Sequence, residues 1–212
     1  MRDRGVTLMP NAYSDIAFTE TILKLQEQAG SRAGFERFEQ TEEMRNAELG
    51  PRETAFIEAR DSFYMASLSE SGWPYVQHRG GPVGFVRILG PRCIGFGDFR
   101  GNRQYVSLGN LTNTDRVSFF FMDYANKIRL KLFGHARLVE GPIAQDLAVP
   151  GYSGVVERGF LVDVAAFDWN CPQHITERFS LGDVQKATEK LTDRIAYLER
   201  QLAEREDTSQ AR

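Results

Sequence analysis

The chain has 212 residues, with 26 Lys and Arg against 29 Asp and Glu, a formal charge of −3, and 42% hydrophobic and 26% charged residues. This is the mixture of a globular chain with a sizeable core, and it excludes bulk disorder. The acidic balance argues against a broad nucleic-acid surface and leaves room for a local basic patch. Two cysteines, Cys93 and Cys171, form neither a disulfide framework nor a Cys-rich zinc site, and they fit a reduced cytoplasmic protein. The opening MRDRGVTLMPNAYSDIAF lacks an unbroken apolar segment and a small-residue cleavage site. No stretch reaches the roughly 18 apolar residues of a membrane helix, so a protein without membrane association is expected.

In chain order, Ser14 or Asp15 can cap a helix carrying Ile16, Ala17, Ile22, Leu23 and Leu25, with Gly30 as its stop. A second helix is predicted to begin at Pro51, in PRETAFIEAR, with Glu53 at its positive end. SFYMASLS and WPYVQHR, joined at Ser71-Gly72, read as a β-hairpin. Further strands are predicted at Phe85–Leu89, Cys93–Gly97, Arg116–Met122, Ile128–Val139 and Gly159–Phe167, and a short helix at Gln104–Leu108. Gly-Pro breaks at 81–82, 90–91 and 141–142 point to an antiparallel barrel or sandwich rather than βαβ units. Near the end, Val184, Thr188, Leu191, Ile195, Leu198 and Leu202 form one stripe of an amphipathic helix, suited to the barrel or to a partner subunit. The tail EDTSQAR is expected to fray.

No GxGxxG, GxxxxGK[ST], GxSxG or HExxH pattern occurs. Cys171 and His174, in CPQH, are too few ligands for a zinc site, and a packed turn is a better reading than a catalytic dyad. No metal is expected. The chemical signal is instead a cluster of arginines. Between Ser71 and Leu111 stand Arg79, Arg87, Arg92, Arg100 and Arg103, no Lys, and one acid, Asp98. Arginine presents a planar fork of donors that suits phosphate or carboxylate. Gly80, Gly81, Gly97, Gly101 and Asn102 lie among them, and glycines let backbone N–H groups come close to a ligand. With Trp73, Tyr75, Phe85, Phe96, Phe99 and Tyr105 nearby, an anionic, partly aromatic ligand is expected; a flavin or pyridoxal phosphate would fit. Arg87 and Arg92, around the Gly90-Pro91 turn, read better as solvated charges. Strand alternation puts Arg129, Lys131 and His135 on one face, opposite Leu130 and Leu132. That face is either an ordinary half-exposed strand or the wall of a cofactor cleft at a subunit boundary.

The segments SFYMASLSESGWPYVQHRGG, IGFGDFRGNRQYVSLGNL, TDRVSFFFMDY, KLFGHARLVE and AFDWNCPQHITERF together resemble the pyridoxamine 5′-phosphate oxidase-like flavoproteins, over about Arg52 to Phe179. The resemblance implies a mainly β (α+β) fold, a six-stranded antiparallel split β-barrel with flanking N- and C-terminal helices. It implies one domain: a helical segment at 1–61 packed on the barrel, an FMN-binding barrel at 62–179, and a terminal helix and tail at 180–212. It further implies a homodimer with FMN at the interface. On that pattern Phe96 and Gly97 lie beside the flavin, Arg103 holds its phosphate and Asn102 assists. Gln77, His78 and Arg79 are the upstream candidates. Arg129 and Lys131 approach from the other subunit, and Gln173 and His174 close over the ring system.

HRGGPVGFVRIL departs from the basic strand of the true oxidase, and the oxidase's terminal substrate motif is missing. Oxidation of pyridoxamine phosphate is therefore not expected. The expectation is an FMN-dependent oxidoreductase acting on an unidentified small substrate, with NADH or NADPH as a candidate donor and no declared catalytic residue. The alternatives are a non-catalytic flavin-binding, sensing or storage protein, and a haem-handling barrel with a histidine ligand.

Overall fold

The computed structural model describes residues 12–39, 46–169 and 173–210. Helices α1 (Ala12–Ala17), α2 (Glu20–Gln28), α3 (Arg32–Glu39) and α4 (Pro51–Glu58) precede the strands. The strands are β1 (Ser62–Leu68), β2 (Pro74–Gly80), β3 (Val86–Gly90), β4 (Cys93–Phe99), β5 (Arg116–Asp123), β6 (Ile128–Val139) and β7 (Val156–Trp169). Short helices α5 (Val106–Asn110) and α6 (Gly141–Gln145) interrupt them, and α7 (Leu181–Gln210) follows. All pairs are antiparallel, in the order β2-β1-β5-β6-β7-β4-β3. The seven segments read as strands all form strands, one more than the six implied by the resemblance.

Several helix expectations need correction: Ser14 and Asp15 lie inside α1 rather than at its cap, and α7 continues through the tail to Gln210 instead of ending before it. The single N-terminal helix is two, because the chain turns extended at Thr19 (φ −64°, ψ 164°) and restarts at Glu20. The helix expected at 104–108 begins at Val106, since Arg103 (φ 57°) and Tyr105 (φ 55°) are left-handed and cannot belong to it. Helix α3 was not foreseen; its apolar residues are too few to mark a clear stripe.

The described residues divide into two units, one of residues 12–39, 46–123 and 128–169, the other of 124–127 and 173–210. In the first, alternating residues of each strand point inward. Phe63 on β1 is the hub, with ring centroids 5.6 Å from Phe85, 4.9 Å from Phe96, 5.4 Å from Phe119 and 5.3 Å from Phe121. Phe96 belongs to β4, four steps from β1 along the ladder, so the sheet coils until its ends meet through side chains. Strand β6 follows the expected alternation, with Leu130 and Leu132 fully buried and His135 exposed. Gly134, at the β6–β7 register shift, has no room for a Cβ, which would lie 2.8 Å from the Asp163 carbonyl oxygen. Glu53, in the first turn of α4, accepts from the Gly50 amide at 3.0 Å and from Trp169 Nε1 at 2.7 Å. One carboxylate thus caps a helix and ties it to the end of β7.

In the second unit, Lys127 pairs with Glu177 at 3.2 Å and the Arg178 guanidinium lies over the Tyr124 ring. Ser180 and Asp183 cap α7 reciprocally: the Asp183 amide donates to Ser180 Oγ, and the Ser180 amide and hydroxyl donate to Asp183 Oδ2. These bonds hold the Asp183 carboxyl below the ordinary carboxylate range.

Phe63→Ala removes the hub and should cost about 3–5 kcal/mol, read as a lowered midpoint in urea unfolding. The cap's contribution to α7 is present above the ordinary carboxylate range and is lost as pH falls through the depressed Asp183 value. Far-UV circular dichroism should show this acid step, and Asp183→Asn should remove it.

Candidate functional site

The site forms where the extended hairpin strand β2, the end of β4, the turn before α5 and the start of β7 converge. Strand β2 alternates, so Tyr75, Gln77 and Arg79 are half-buried on one face while Val76 and His78 are exposed on the other. Arg79 turns inward beside Phe63, its register partner, and lies over the Phe160 ring at 4.4 Å. Its Nη1 donates to Asp98 Oδ1 at 2.7 Å, with the two side chains only 12% and 19% exposed. Strands β2 and β4 are not ladder neighbours, so this ion pair bridges a gap that no backbone hydrogen bond spans. Asp98 is register partner to Arg158 on β7, whose Nη1 lies 3.6 Å from Asp98 Oδ2.

Beside this pair, Glu157 gathers three cations. Arg100 Nε is 2.8 Å from its Oε1, Arg103 Nη2 is 3.7 Å from the same oxygen, and Arg158 Nη2 is 3.3 Å from Oε2. The Arg100 hydrogen bond is the main cause that holds the Glu157 carboxyl below its ordinary value, with Arg103 and Arg158 adding to it. Four guanidiniums (Arg79, Arg100, Arg103, Arg158) against two carboxylates (Asp98, Glu157) leave an excess of two positive charges. Two buried donors, Arg79 Nε and Arg158 Nη1, make no hydrogen bond. Such groups cost about 1–3 kcal/mol each when left without an acceptor.

A turn closes the cleft. Asn102 Oδ1 accepts from the Gln104 amide at 3.1 Å, which leaves its amide NH2 group as the donating end. Arg103 and Tyr105 both sit at positive φ, a conformation that costs a non-glycine residue on the order of 1 kcal/mol. The turn is held by its surroundings: Ser107 Oγ donates to Gln77 Oε1 at 2.7 Å, Asn110 Nδ2 to Ser67 Oγ at 2.9 Å, and the Arg158 guanidinium covers the Tyr105 ring at 5.0 Å. The resulting cleft, open to solvent, is lined by Gln77, Arg79, Asn102, Arg103, Tyr105 and Glu157 among others.

The structure brings together four of the residues singled out in the sequence, Gln77, Arg79, Asn102 and Arg103. A neighbouring pocket brings Gln77 and Arg79 together with His78, Phe96 and Gly97, whereas Arg129, Lys131, Gln173 and His174 lie elsewhere. Phe96 is fully buried, its ring stacked on Phe160 at 5.0 Å, and the Arg79 guanidinium lies over it at 5.6 Å, so this core ring also underlies the site. Gly97 faces Gly159, and a Cβ there would lie 2.9 Å from Val156 Cγ2, so barrel packing already requires this glycine. His78 is on the outer face against Tyr64. That face also carries Arg129, over Phe120 at 5.2 Å, and Lys131. Lys131 is held by Asp168 at 2.8 Å and the Tyr13 hydroxyl at 2.9 Å. Gln173 and His174 belong to the second unit, where His174 has φ 62°. The Cys171–His174 pairing falls partly outside the described residues. As expected of solvated charges, Arg92 is exposed, whereas Arg87 donates to the Ala148 carbonyl at 2.7 Å. Sequence reasoning missed Glu157 and Arg158. Their signal was the charged pair opening β7, but only the β4–β7 register shows that it meets Asp98.

Comparison with known proteins now fits this geometry. The family model for pyridoxamine 5′-phosphate oxidase matches residues 49–158, and the chain belongs to that family. No curated protein matches the chain. Among solved structures, HupZ of Group A Streptococcus is 14% identical, covering 62% of this chain and 99% of its own, with a TM-score of 0.48. A putative pyridoxamine 5′-phosphate oxidase of Lactobacillus delbrueckii is 13% identical, covering 57% and 94%, with a TM-score of 0.46. An FMN-binding protein of Syntrophomonas wolfei is 11% identical, covering 68% and 97%, with a TM-score of 0.42. Among the described residues no helix is long and apolar enough to cross a membrane.

Asp98→Ala strands Arg79 and Arg158 without their shared carboxylate. A loss of about 2–3 kcal/mol is expected, the low end for a buried pair because part of Asp98 stays wet. Denaturant unfolding checks this; a variant as stable as the parent would show that the Phe core alone holds the closure.

Proposed function

We propose that this chain binds FMN with its 5′-phosphate in the arginine cleft, and that it is a flavin-dependent oxidoreductase acting on a small substrate. One observation carries the reading: in a chain of the pyridoxamine 5′-phosphate oxidase family, Arg79, the exposed Arg103 and the Asn102 amide line one cleft, within an arginine cluster that has an excess of two positive charges. A phosphate dianion matches that charge and supplies oxygen acceptors. Arg103, the most exposed of the lining arginines, meets the phosphate first, and the Asn102 amide adds a neutral donor.

Bound FMN supplies hydride and electron transfer at its ring system. The chain's part is to bind, orient and exclude water. The left-handed turn at Arg103 and Tyr105 is held by the Ser107–Gln77 and Asn110–Ser67 hydrogen bonds, which limits the ordering that binding would have to supply. Tyr105 and Tyr75 provide aromatic surface along the cleft wall. The outer face of β1, β2 and β5 exposes Tyr64, Leu68, Val76 and Phe120, which supports a homodimer built on that face. In such a dimer Arg129 and Lys131 border the interface, where a cation favours reduced, anionic flavin.

The purified protein should carry flavin absorption or acquire it on adding FMN. Arg103→Ala and Arg158→Ala should each weaken FMN binding by about 1.5–3 kcal/mol, roughly 10- to 150-fold. Riboflavin, which lacks the phosphate, should bind the parent and both variants alike. Colourless protein that takes up no FMN overturns the proposal, and a Soret band points to haem instead. Anaerobic reduction of the bound flavin by NADH or NADPH supports the enzyme; bound flavin that no donor reduces supports a carrier or sensor.

A further inference from the structure

Helix α7 has a feature that the flavin reading does not use. From Leu181 to Leu202 its apolar residues recur at alternating spacings of three and four: Leu181, Val184, Leu191, Ile195, Leu198 and Leu202, with Thr188 completing the pattern. In heptad terms Leu181, Thr188, Ile195 and Leu202 occupy the a positions, and Val184, Leu191 and Leu198 the d positions. The run is three heptads, about 33 Å of helix. Every residue from 181 to 202 is exposed, and the six apolar seam residues are 42–73% exposed. An isolated helix gains most of its stability from packing such a stripe, so the stripe requires an occupant.

We propose that the occupant is the same helix of a second copy of this chain, in a parallel, in-register, two-stranded coiled coil. Three observations select it. First, the seam centre places β-branched Ile195 at a between leucines at d, the combination that favours two strands. Secondly, the flanking charges match only across copies. Arg194 stands at g and Glu199 at the following e, five residues on, so in a parallel pair Arg194 of each copy faces Glu199 of the other. The remaining g–e combination within the seam, Ala187 with Thr192, brings no like charges together. Thirdly, the polar seam residue is prepared for burial. Thr188 Oγ1 donates to the Val184 carbonyl at 2.9 Å, so it can enter an apolar seam without a stranded donor. The outward f positions are Lys186, Asp193 and Arg200, as solvent contact requires. The inference concerns α7 alone and is independent of the cofactor.

The test is disulfide trapping in the full chain with Cys93 and Cys171 replaced by serine. Val184→Cys and Leu198→Cys, made separately, should each convert most of the protein to covalent dimer under mild oxidation. Arg200→Cys, on the outward face, should not. Adding Leu191→Asp to either seam variant should abolish its cross-link while tryptophan fluorescence shows the barrel intact. Cross-linking only in a mixture of the two seam variants would show antiparallel helices and overturn the proposal. No seam cross-link, or equal cross-linking at Arg200→Cys, would mean that α7 is covered by something else, and would also overturn it.

Discussion

The structure depends on bringing together two stretches of sheet that share no backbone hydrogen bonds. Antiparallel ladders run unbroken from β2 to β3 through five other strands, and nothing in those ladders makes the ends meet. Side chains do it. Phe63 fills the interior with rings from β4, β5 and the approach to β3, and Arg79 reaches across from β2 to Asp98 on β4. The first contact is apolar and tolerant of small shifts; the second is directional and mostly buried. Together they fix how far the sheet curls. Because Asp98 also meets Arg158, the closure places β7's charged opening beside the turn at Asn102–Gln104.

This arrangement explains what could be read from the sequence. Period-two alternation in SFYMASL and IRLKLFGHARL gave strands and their buried faces, because each strand obeys its own geometry. The hairpin at Ser71-Gly72 and the helix at Pro51 were equally local. Arg103 was legible for a similar reason: its glycine- and asparagine-rich surroundings announce a tight turn. Glu157 and Arg158 were not legible, because their importance lies in a register with β4 some sixty residues away. Phe96 is legible by position as a neighbour of Arg79, whose guanidinium lies over its ring at 5.6 Å, although the ring itself is core. His78 and Arg79 are adjacent in sequence and face opposite ways because the strand alternates.

Charge shows the same separation between average and place. An acidic chain contains an arginine cluster with two surplus positive charges, and the acids that set its −3 balance lie largely elsewhere. The barrel unit keeps Arg79 and Arg158 half-buried and paired, whereas the helix of the second unit exposes charges of both signs around an apolar seam.

Glu157 gives the cleft a further property. Its carboxylate already engages Arg100, Arg103 and Arg158, so the anion of the proposed function would enter as a competitor, in the manner of an ion exchanger. A singly charged carboxylate ligand offers these arginines about what Glu157 offers them, and it must also surrender its translational freedom. A dianion offers twice the charge. On the proposed reading, the resident glutamate would set a threshold of valence, so that anions are sorted by how strongly they are charged before shape is consulted.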